Sequence, residues 1–200
     1  MGFDLFDLGI VKQWKEIMLR PVAFFSKLKI PVKDARKEST LFYLKVVTVS
    51  LALVFIVEAI TAAIRPTLIS ELNVFGVGAG VYALLLLIML PIAVLFSWGW
   101  LYVGTWIVHM FARLFGAKKG YDVTFAVNAY STAPSIFEVI PFVNWLSMIY
   151  STVLLIVGLK YQQQMSTLGA VSAVLVPLII ILGIAVAVIL VFVPWSSLIV

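Results

Sequence analysis

Two carboxylates lie inside apolar stretches of this sequence, where an ionised group is costly. Glu58 falls within the apolar run 41–64, and Glu138 falls near the end of the run 122–140. Ionisable residues in membrane spans face a bundle interior or a water-filled cavity, and they mark candidate sites for ions or solutes. Glu58 is therefore a candidate intramembrane acid. The alternative is a structural role, because it lies close enough to the end of its run for water or Arg65 to reach it.

Polar side chains follow one edge of the run that contains Glu138. Residues three or four apart share a helix face, and five polar residues at that spacing fall within about 80° of the circumference: Thr124, Asn128, Ser131, Ser135 and Glu138. The next run repeats the pattern with Asn144, Ser147, Ser151 and Gly158. The two edges are expected to face each other, either as an interhelical hydrogen-bonded contact or as the wall of a polar cavity.

Common catalytic and metal-binding patterns are absent from the sequence. It contains no H-E-x-x-H, no G-x-S-x-G and no phosphate-binding G-x-x-x-x-G-K-[ST] pattern. His109 has no suitably spaced ligand partner, and the lack of cysteine excludes disulfides, Cys-ligated zinc and iron–sulfur clusters. We therefore expect a non-enzymatic protein with no catalytic residues, no metal and no cofactor.

Apolar runs long enough to cross a bilayer supply the elements that must position these residues. The sequence is 64% hydrophobic and 12% charged, with a mean hydropathy of +1.16, against about 45–50% and about 25% in soluble domains. This composition predicts an all-α integral membrane protein, a five-span transmembrane helix bundle. The spans are expected at about 41–64, 79–111, 122–140, 141–159 and 168–193. The long second run is expected to be one tilted helix, kinked at Pro91, because two spans would leave no room for a turn.

The N-terminal residues 9–29 form an amphipathic pattern with a basic face opposite an apolar one. Such a helix lies in the membrane interface, where its apolar side enters the acyl chains and its basic side meets anionic headgroups. The residues expected to contact the membrane surface are Trp14, Phe24, Phe25, Lys12, Lys15 and Lys27. The alternative is a helix packed against another part of the protein. The chain thus divides into an N-terminal cytoplasmic or interfacial segment, 1–40, and a membrane domain, 41–200.

The basic residues are distributed asymmetrically about the five predicted spans. Nine Lys and Arg residues lie between Lys12 and Lys45, three lie in the connection 112–121, and one is Lys160, so thirteen of the fourteen fall on one side. Only Arg65 falls on the other side. The positive-inside rule makes the side with thirteen cytoplasmic. The N-terminus is therefore expected in the cytoplasm and the C-terminus outside the cell.

Three short motifs resemble the Yip1-domain family. They are WKEIMLRPVAFFSKL at 14–28, AVNAYSTAPSIFEVIPFVNW at 126–145 and VGLK at 157–160, and the resemblance extends over about 12–193. It is closer to the compact prokaryotic members, and it implies five spans with a cytoplasmic N-terminus. The signature positions that it implies are Tyr130, Pro134 and Gly158. Eukaryotic members imply vesicle trafficking and contacts with prenylated small GTPases, but their long acidic N-terminal region is absent from this sequence.

These observations together predict a membrane-organising or protein-interaction module in a prokaryotic plasma membrane. Its expected partners are the lipid bilayer and either another protein or a second copy of the chain, without nucleic acid or metal. The alternative is a small-solute transporter or channel that uses the polar face between the third and fourth spans. A solvent-accessible cavity that reaches Asn128 and Asn144 would favour transport, and a dry, close-packed hairpin would favour the module.

Overall fold

A computed structural model of the chain describes residues 8–28, 35–64 and 79–192, and within these ranges the regular structure is entirely helical. The elements in chain order are α1 (Leu8–Leu19), α2 (Pro21–Lys27), α3 (Ala35–Ile64), α4 (Ala79–Leu114), α5 (Tyr121–Ser131), a 3-10 helix (Ala133–Val139), α6 (Val143–Gln162) and α7 (Thr167–Phe192). The G-x-G-x-G stretch before α4, together with Arg65, lies outside the described residues.

Four helices are long and apolar enough to cross a membrane. They contain the segments Arg36–Ile64, Gly80–Leu114, Val143–Gln162 and Thr167–Leu190. The prediction of an all-α, multi-pass membrane protein is therefore confirmed. The third predicted span is not one of these four helices, because the run 122–140 is divided into α5 and the 3-10 helix.

Pro134 explains this division of the third run. Proline has no backbone N–H, and its ring clashes with the carbonyl of the residue four positions earlier, here Tyr130. Thr132 accordingly caps α5, and the chain continues as a 3-10 helix in which Pro134 occupies the first turn. The prediction of one continuous helix over 122–140 was wrong in this respect.

The long apolar run before residue 115 forms a single helix, as predicted. Helix α4 has 36 residues and includes Pro91, so it is about 54 Å long. A hydrocarbon core is only about 30 Å thick, so α4 must tilt strongly to remain within a bilayer. Helix α4 packs against α3 from Ala83 to Leu101, and it also packs against α7.

Contacts at the two ends of the bundle define its direction. At one end, which we call the loop end, the backbone N–H of Lys118 donates to the carbonyl of Gln163 over 3.2 Å. Arg36 at the start of α3 also pairs there with Asp122 at the start of α5. At the other end, which we call the pocket end, Glu58 of α3 lies beside the turn between the 3-10 helix and α6.

The buried core lies towards the loop end. Its largest fully buried side chains come from α1, α2, α3, α5 and α6, and they include Ile17, Phe25, Phe42, Phe125 and Leu154. In α7, Ala170 and Ala173 are buried, whereas the apolar residues from Leu178 to Leu190 are exposed. Exposed apolar surface of this kind fits the acyl chains of a bilayer.

The N-terminal helices pack into this core. Their apolar face therefore follows the alternative interpretation of the amphipathic segment, a helix packed against another part of the protein. Ile17 and Phe25 are fully buried, and Trp14 and Phe24 are partly buried. Phe25 therefore does not contact the membrane surface, because the protein itself covers its ring. The basic residues expected at the surface, Lys12, Lys15 and Lys27, are all exposed.

Candidate functional site

An open pocket lies at the pocket end, between α3, the 3-10 helix and α6. Its volume is about 480 Å³, and both acidic residues singled out in the sequence line it. The other lining residues that carry polar or aromatic groups are Thr61, Asn144, Phe142 and Trp145. The structure thus brings Glu58 and Glu138 together on elements that are eighty residues apart in sequence.

The local backbone explains how Asn144 reaches this pocket. Ile140 ends the 3-10 helix in an extended conformation, and Pro141 follows it. Phe142 then adopts φ 69°, ψ −38°, a left-handed conformation that non-glycine residues seldom adopt. This turn reverses the chain, so that Asn144 at the start of α6 comes beside Glu138.

The volume of the pocket falls within the range of small-molecule sites. Binding pockets have volumes of about 300–1,000 Å³ and combine apolar walls with a few polar groups. Within the described part of the chain, the carboxylates of Glu58 and Glu138 have no ion-pair or hydrogen-bond partner. No group of three or more potential metal-ligating residues was found among the described residues. Two carboxylates beside the Trp145 ring favour an organic cation over an anion.

Asn128 does not line this pocket. Its side-chain amide donates to the hydroxyl of Thr105 in α4 over 2.9 Å. Ser131 donates to the carbonyl of Val127 over 2.7 Å, as a helical serine often does. The N-terminal part of the predicted polar edge is therefore occupied by contacts with α4 and within α5.

The rest of the polar edge turns away from α4 because the helix type changes. A 3-10 helix has 3.0 residues per turn, so each residue adds about 20° of rotation relative to an α-helix. The backbone carbonyl of Ser135 accepts a hydrogen bond from the hydroxyl of Ser50 in α3 over 2.7 Å. The hydroxyl of Ser135 is buried and has no partner among the described residues. Glu138 is rotated further and faces the pocket.

The polar residues of α6 are similarly distributed. Ser147 is buried, Ser151 is partly buried, and Asn144 is exposed in the pocket. Asn128 contacts α4 and Asn144 lines the pocket, so the two asparagines do not face each other. The expectation of one continuous polar seam between the third and fourth runs was wrong, because it assumed a single helical rotation over 122–140.

A second polar network, at the loop end, was not anticipated from the sequence. Gln163 is fully buried; its side chain accepts the N–H of Lys119 over 2.7 Å and donates to the hydroxyl of Thr124 over 2.9 Å. Thr124 in turn contacts His109 Nδ1 over 2.8 Å. His109 is thus part of a structural network. The sequence signal for this buried network is the run of three glutamines at 162–164. That run was not recognised, because it has the composition of an ordinary polar loop.

The neighbouring glutamine holds the N-terminal helices. Gln162 Nε2 donates to the carbonyls of Phe25 and Leu28 over 2.5 and 2.9 Å. These carbonyls lie at the end of α2, where no further helical N–H is available to them. Within α1, the indole N–H of Trp14 donates to the carbonyl of Ala133 over 2.7 Å. Both α1 and α2 are therefore hydrogen-bonded to the bundle.

The three signature positions lie along this same contact. Gly158 is buried, and a Cβ there would overlap Val127 and lie 3.0 Å from Cε1 of Phe25. Tyr130 packs its ring against Phe24 and Phe42, with centroid distances of 5.4 and 5.1 Å. Pro134 is buried at the start of the 3-10 helix. Each of them serves the packing of the N-terminal helices or the break in the third run.

The chain matches the model of a known protein family. No curated protein and no solved structure matches the chain. The family model for the Yip1 domain matches residues 15–196, which include the end of α1, all of α2, the divided third run and all four long helices. The chain belongs to the Yip1-domain family.

Proposed function

We propose that this protein is a membrane-organising or protein-interaction module of the compact prokaryotic type, located in the plasma membrane and crossing it five times. Proteins with a Yip1 domain are generally non-enzymatic membrane proteins. The residues singled out as polar in the described spans form structural contacts or line an open pocket, and the hydroxyl of Thr124, which contacts His109, is fully buried. A non-enzymatic role is the simplest one that fits both observations.

The contacts at the two ends of the bundle support a fifth crossing by the divided third run. Its beginning lies at the loop end, where Asp122 pairs with Arg36, and its end lies at the pocket end, where Glu138 lies near Glu58. Helix α6 returns over the same distance in 20 residues, or about 30 Å. An α-helix of 11 residues followed by seven 3-10 residues has a similar length, about 30 Å.

Five crossings also give a consistent orientation. They bring the loop that contains Lys118 and Lys119, and the last turn of α6 with Lys160, to the same side as the basic N-terminal helices. The positive-inside rule makes this side cytoplasmic and leaves the C-terminus outside. With four crossings, α6 would begin at the loop end and finish at the pocket end. Its contacts run the other way, because its first residues lie at the pocket end and its last residues lie at the loop end.

The observation that carries the module role is the close packing at Gly158. Helix α2, α5 and α6 meet there without space for one additional methyl group. A solute pathway through this hairpin would require a gap at this level. The N-terminal helices instead present Lys12, Lys15 and Glu16 on an exposed charged face, and such a face is available to a partner.

Site-specific photo-crosslinking in native membranes tests the module role. A crosslinking amino acid at Lys15 is expected to give a discrete adduct with a protein or a second copy, whereas the same amino acid at buried Val127 should give none. Equal, diffuse labelling from both positions would contradict the proposal. Identification of the adduct by mass spectrometry would name the partner.

The pocket at Glu58 and Glu138 favours a second candidate function, the binding and transfer of a small cationic solute. Uptake of organic cations by proteoliposomes, with the Glu138→Gln variant beside the native protein, measures it directly. Uptake that depends on Glu138 would support transport over the module role. The Thr152→Val variant, at a residue outside the pocket, is the matched control.

A further inference from the structure

A cavity of about 380 Å³ lies at the junction of α1 and α2. The chain bends there because Arg20, at φ −140°, ψ 54°, precedes Pro21 at the start of α2. Glu16, Arg20 and Lys27 supply the charged groups of its lining, and Phe24 and Leu28 supply part of the floor. Neither Arg20 nor Lys27 has an ion-pair partner among the described residues.

The cavity lies within a basic surface. Between residues 8 and 28, four basic side chains (Lys12, Lys15, Arg20 and Lys27) are opposed by one carboxylate, so the segment carries a net charge of 4 − 1 = +3. All five of these side chains are exposed. Arg20 and Lys27 face the cavity together with Glu16, whereas Lys12 and Lys15 lie outside it. The cavity itself therefore has a net charge of +1.

The segment that carries the cavity also exposes large apolar side chains. Leu19 is 77% exposed and Val22 is 49% exposed, and they adjoin Arg20 and Pro21 in the chain. Large apolar side chains beside basic ones match a ligand that has both an anionic group and a hydrocarbon part. A free phosphate would leave these apolar side chains uncovered.

The α2 side of the cavity lies at the loop end of the bundle. The end of α2 is fastened by Gln162 at the loop end of the bundle, next to residues 115–120. With the proposed orientation, this end meets the cytoplasmic leaflet, where anionic headgroups attract basic residues.

We propose that the cavity between α1 and α2 binds the headgroup phosphate of an anionic phospholipid. Arg20 and Lys27 contact the phosphate oxygens, Arg20 through its planar pair of N–H donors. Leu19 and Val22 contact the first part of the acyl chains. Glu16 stands against the phosphate and limits the affinity of the site. The site requires only that the loop end lie at a membrane surface, so it stands whether or not the protein recruits partners.

Native mass spectrometry of the full-length protein in nonionic detergent, with added phosphatidylglycerol, tests the site. One phosphatidylglycerol is expected to remain bound in preference to phosphatidylcholine. Loss of one basic contact is expected to weaken retention about fivefold, so the Arg20→Gln, Lys27→Gln double variant should weaken it more than tenfold. Circular dichroism of each variant checks that it is folded.

The double variant Lys12→Gln, Lys15→Gln is the matched control, because it removes the same charge from the same segment outside the cavity. Retention within twofold of the native protein supports the site, and a loss equal to that of the cavity variant overturns it in favour of diffuse attraction.

Glu16→Gln should strengthen phosphatidylglycerol binding. Weaker binding in that variant, with a preference for phosphatidylethanolamine, would overturn the anionic assignment. Displacement of the lipid by millimolar inorganic phosphate would show a site for soluble phosphate and overturn the lipid assignment.

Discussion

The ring of Phe25 in α2 lies 3.0 Å from the position that a Cβ on Gly158 in α6 would occupy. Val127 of α5 closes the same contact from the other side. An N-terminal segment with the composition of an interfacial helix is thereby part of the folded core. The consequence is that the stability of the bundle depends on residues before the first long helix.

Replacing Gly158 by alanine is expected to destabilise the protein. The added methyl group overlaps the branched side chain of Val127, which cannot rotate away freely, and overpacking of this kind costs about 1–3 kcal/mol. Thermal unfolding in detergent measures the change. Gly183→Ala, in open space on α7, is the control and should melt at or above the native temperature. Equal melting of Gly158→Ala and the native protein would refute the close contact.

Replacing Gln163 by leucine is expected to loosen the loop end. The substitution leaves the N–H of Lys119 and the carbonyl of Gly120 without their buried partner, and each such loss costs about 1–3 kcal/mol. Hydrogen–deuterium exchange should rise in residues 116–124. Gln164→Leu is the matched control, because it makes the same substitution at a neighbouring glutamine that is exposed. Glutamine and leucine are both unbranched at Cβ. If both variants exchange alike, the network has no structural role.

Asn128 and Asn144 are expected to respond differently to substitution by leucine. Asn128→Leu removes the hydrogen bond to Thr105, which is fully buried, and should lower stability by about 1–2 kcal/mol. Asn144→Leu lies in the open pocket and should leave the melting temperature unchanged. Ala129→Leu, on the opposite face of α5, does not serve as a neutral control, because Ala129 is fully buried and leucine there would overpack the core. Unchanged melting of Asn128→Leu would show that its hydrogen bond contributes nothing.

Cysteine labelling is expected to show five crossings. The native chain has no cysteine, so single variants report cleanly. A membrane-impermeant thiol reagent should label Phe142→Cys in intact cells and should label Lys119→Cys only after permeabilisation. Phe142 is 89% exposed at the end of the third run. Protection of Phe142→Cys in intact cells would mean that this run does not cross. Ser70→Cys, which lies outside the described residues, should label like Phe142→Cys.

Composition and periodicity determined the class of the protein. A high apolar content with few charges leaves no stable water-soluble fold, so multi-pass helices follow from the sequence alone. The same reasoning correctly made the run before residue 115 a single helix, because two spans would have left no residues for a turn. The motif around Tyr130, Pro134 and Gly158 identified the Yip1-domain family, and the family match confirmed it.

Only the tertiary structure decided what the polar and amphipathic residues contact. A helical projection needs one constant rotation per residue, and the 3-10 helix after Pro134 breaks that assumption, so Asn128 and Glu138 face different neighbours. Amphipathicity likewise shows that one face must leave water, but lipid and protein satisfy it equally well. The buried roles of Phe25 and Gln163 depend on elements more than thirty residues away. Local sequence cannot encode which of these distant surfaces will be the closer fit.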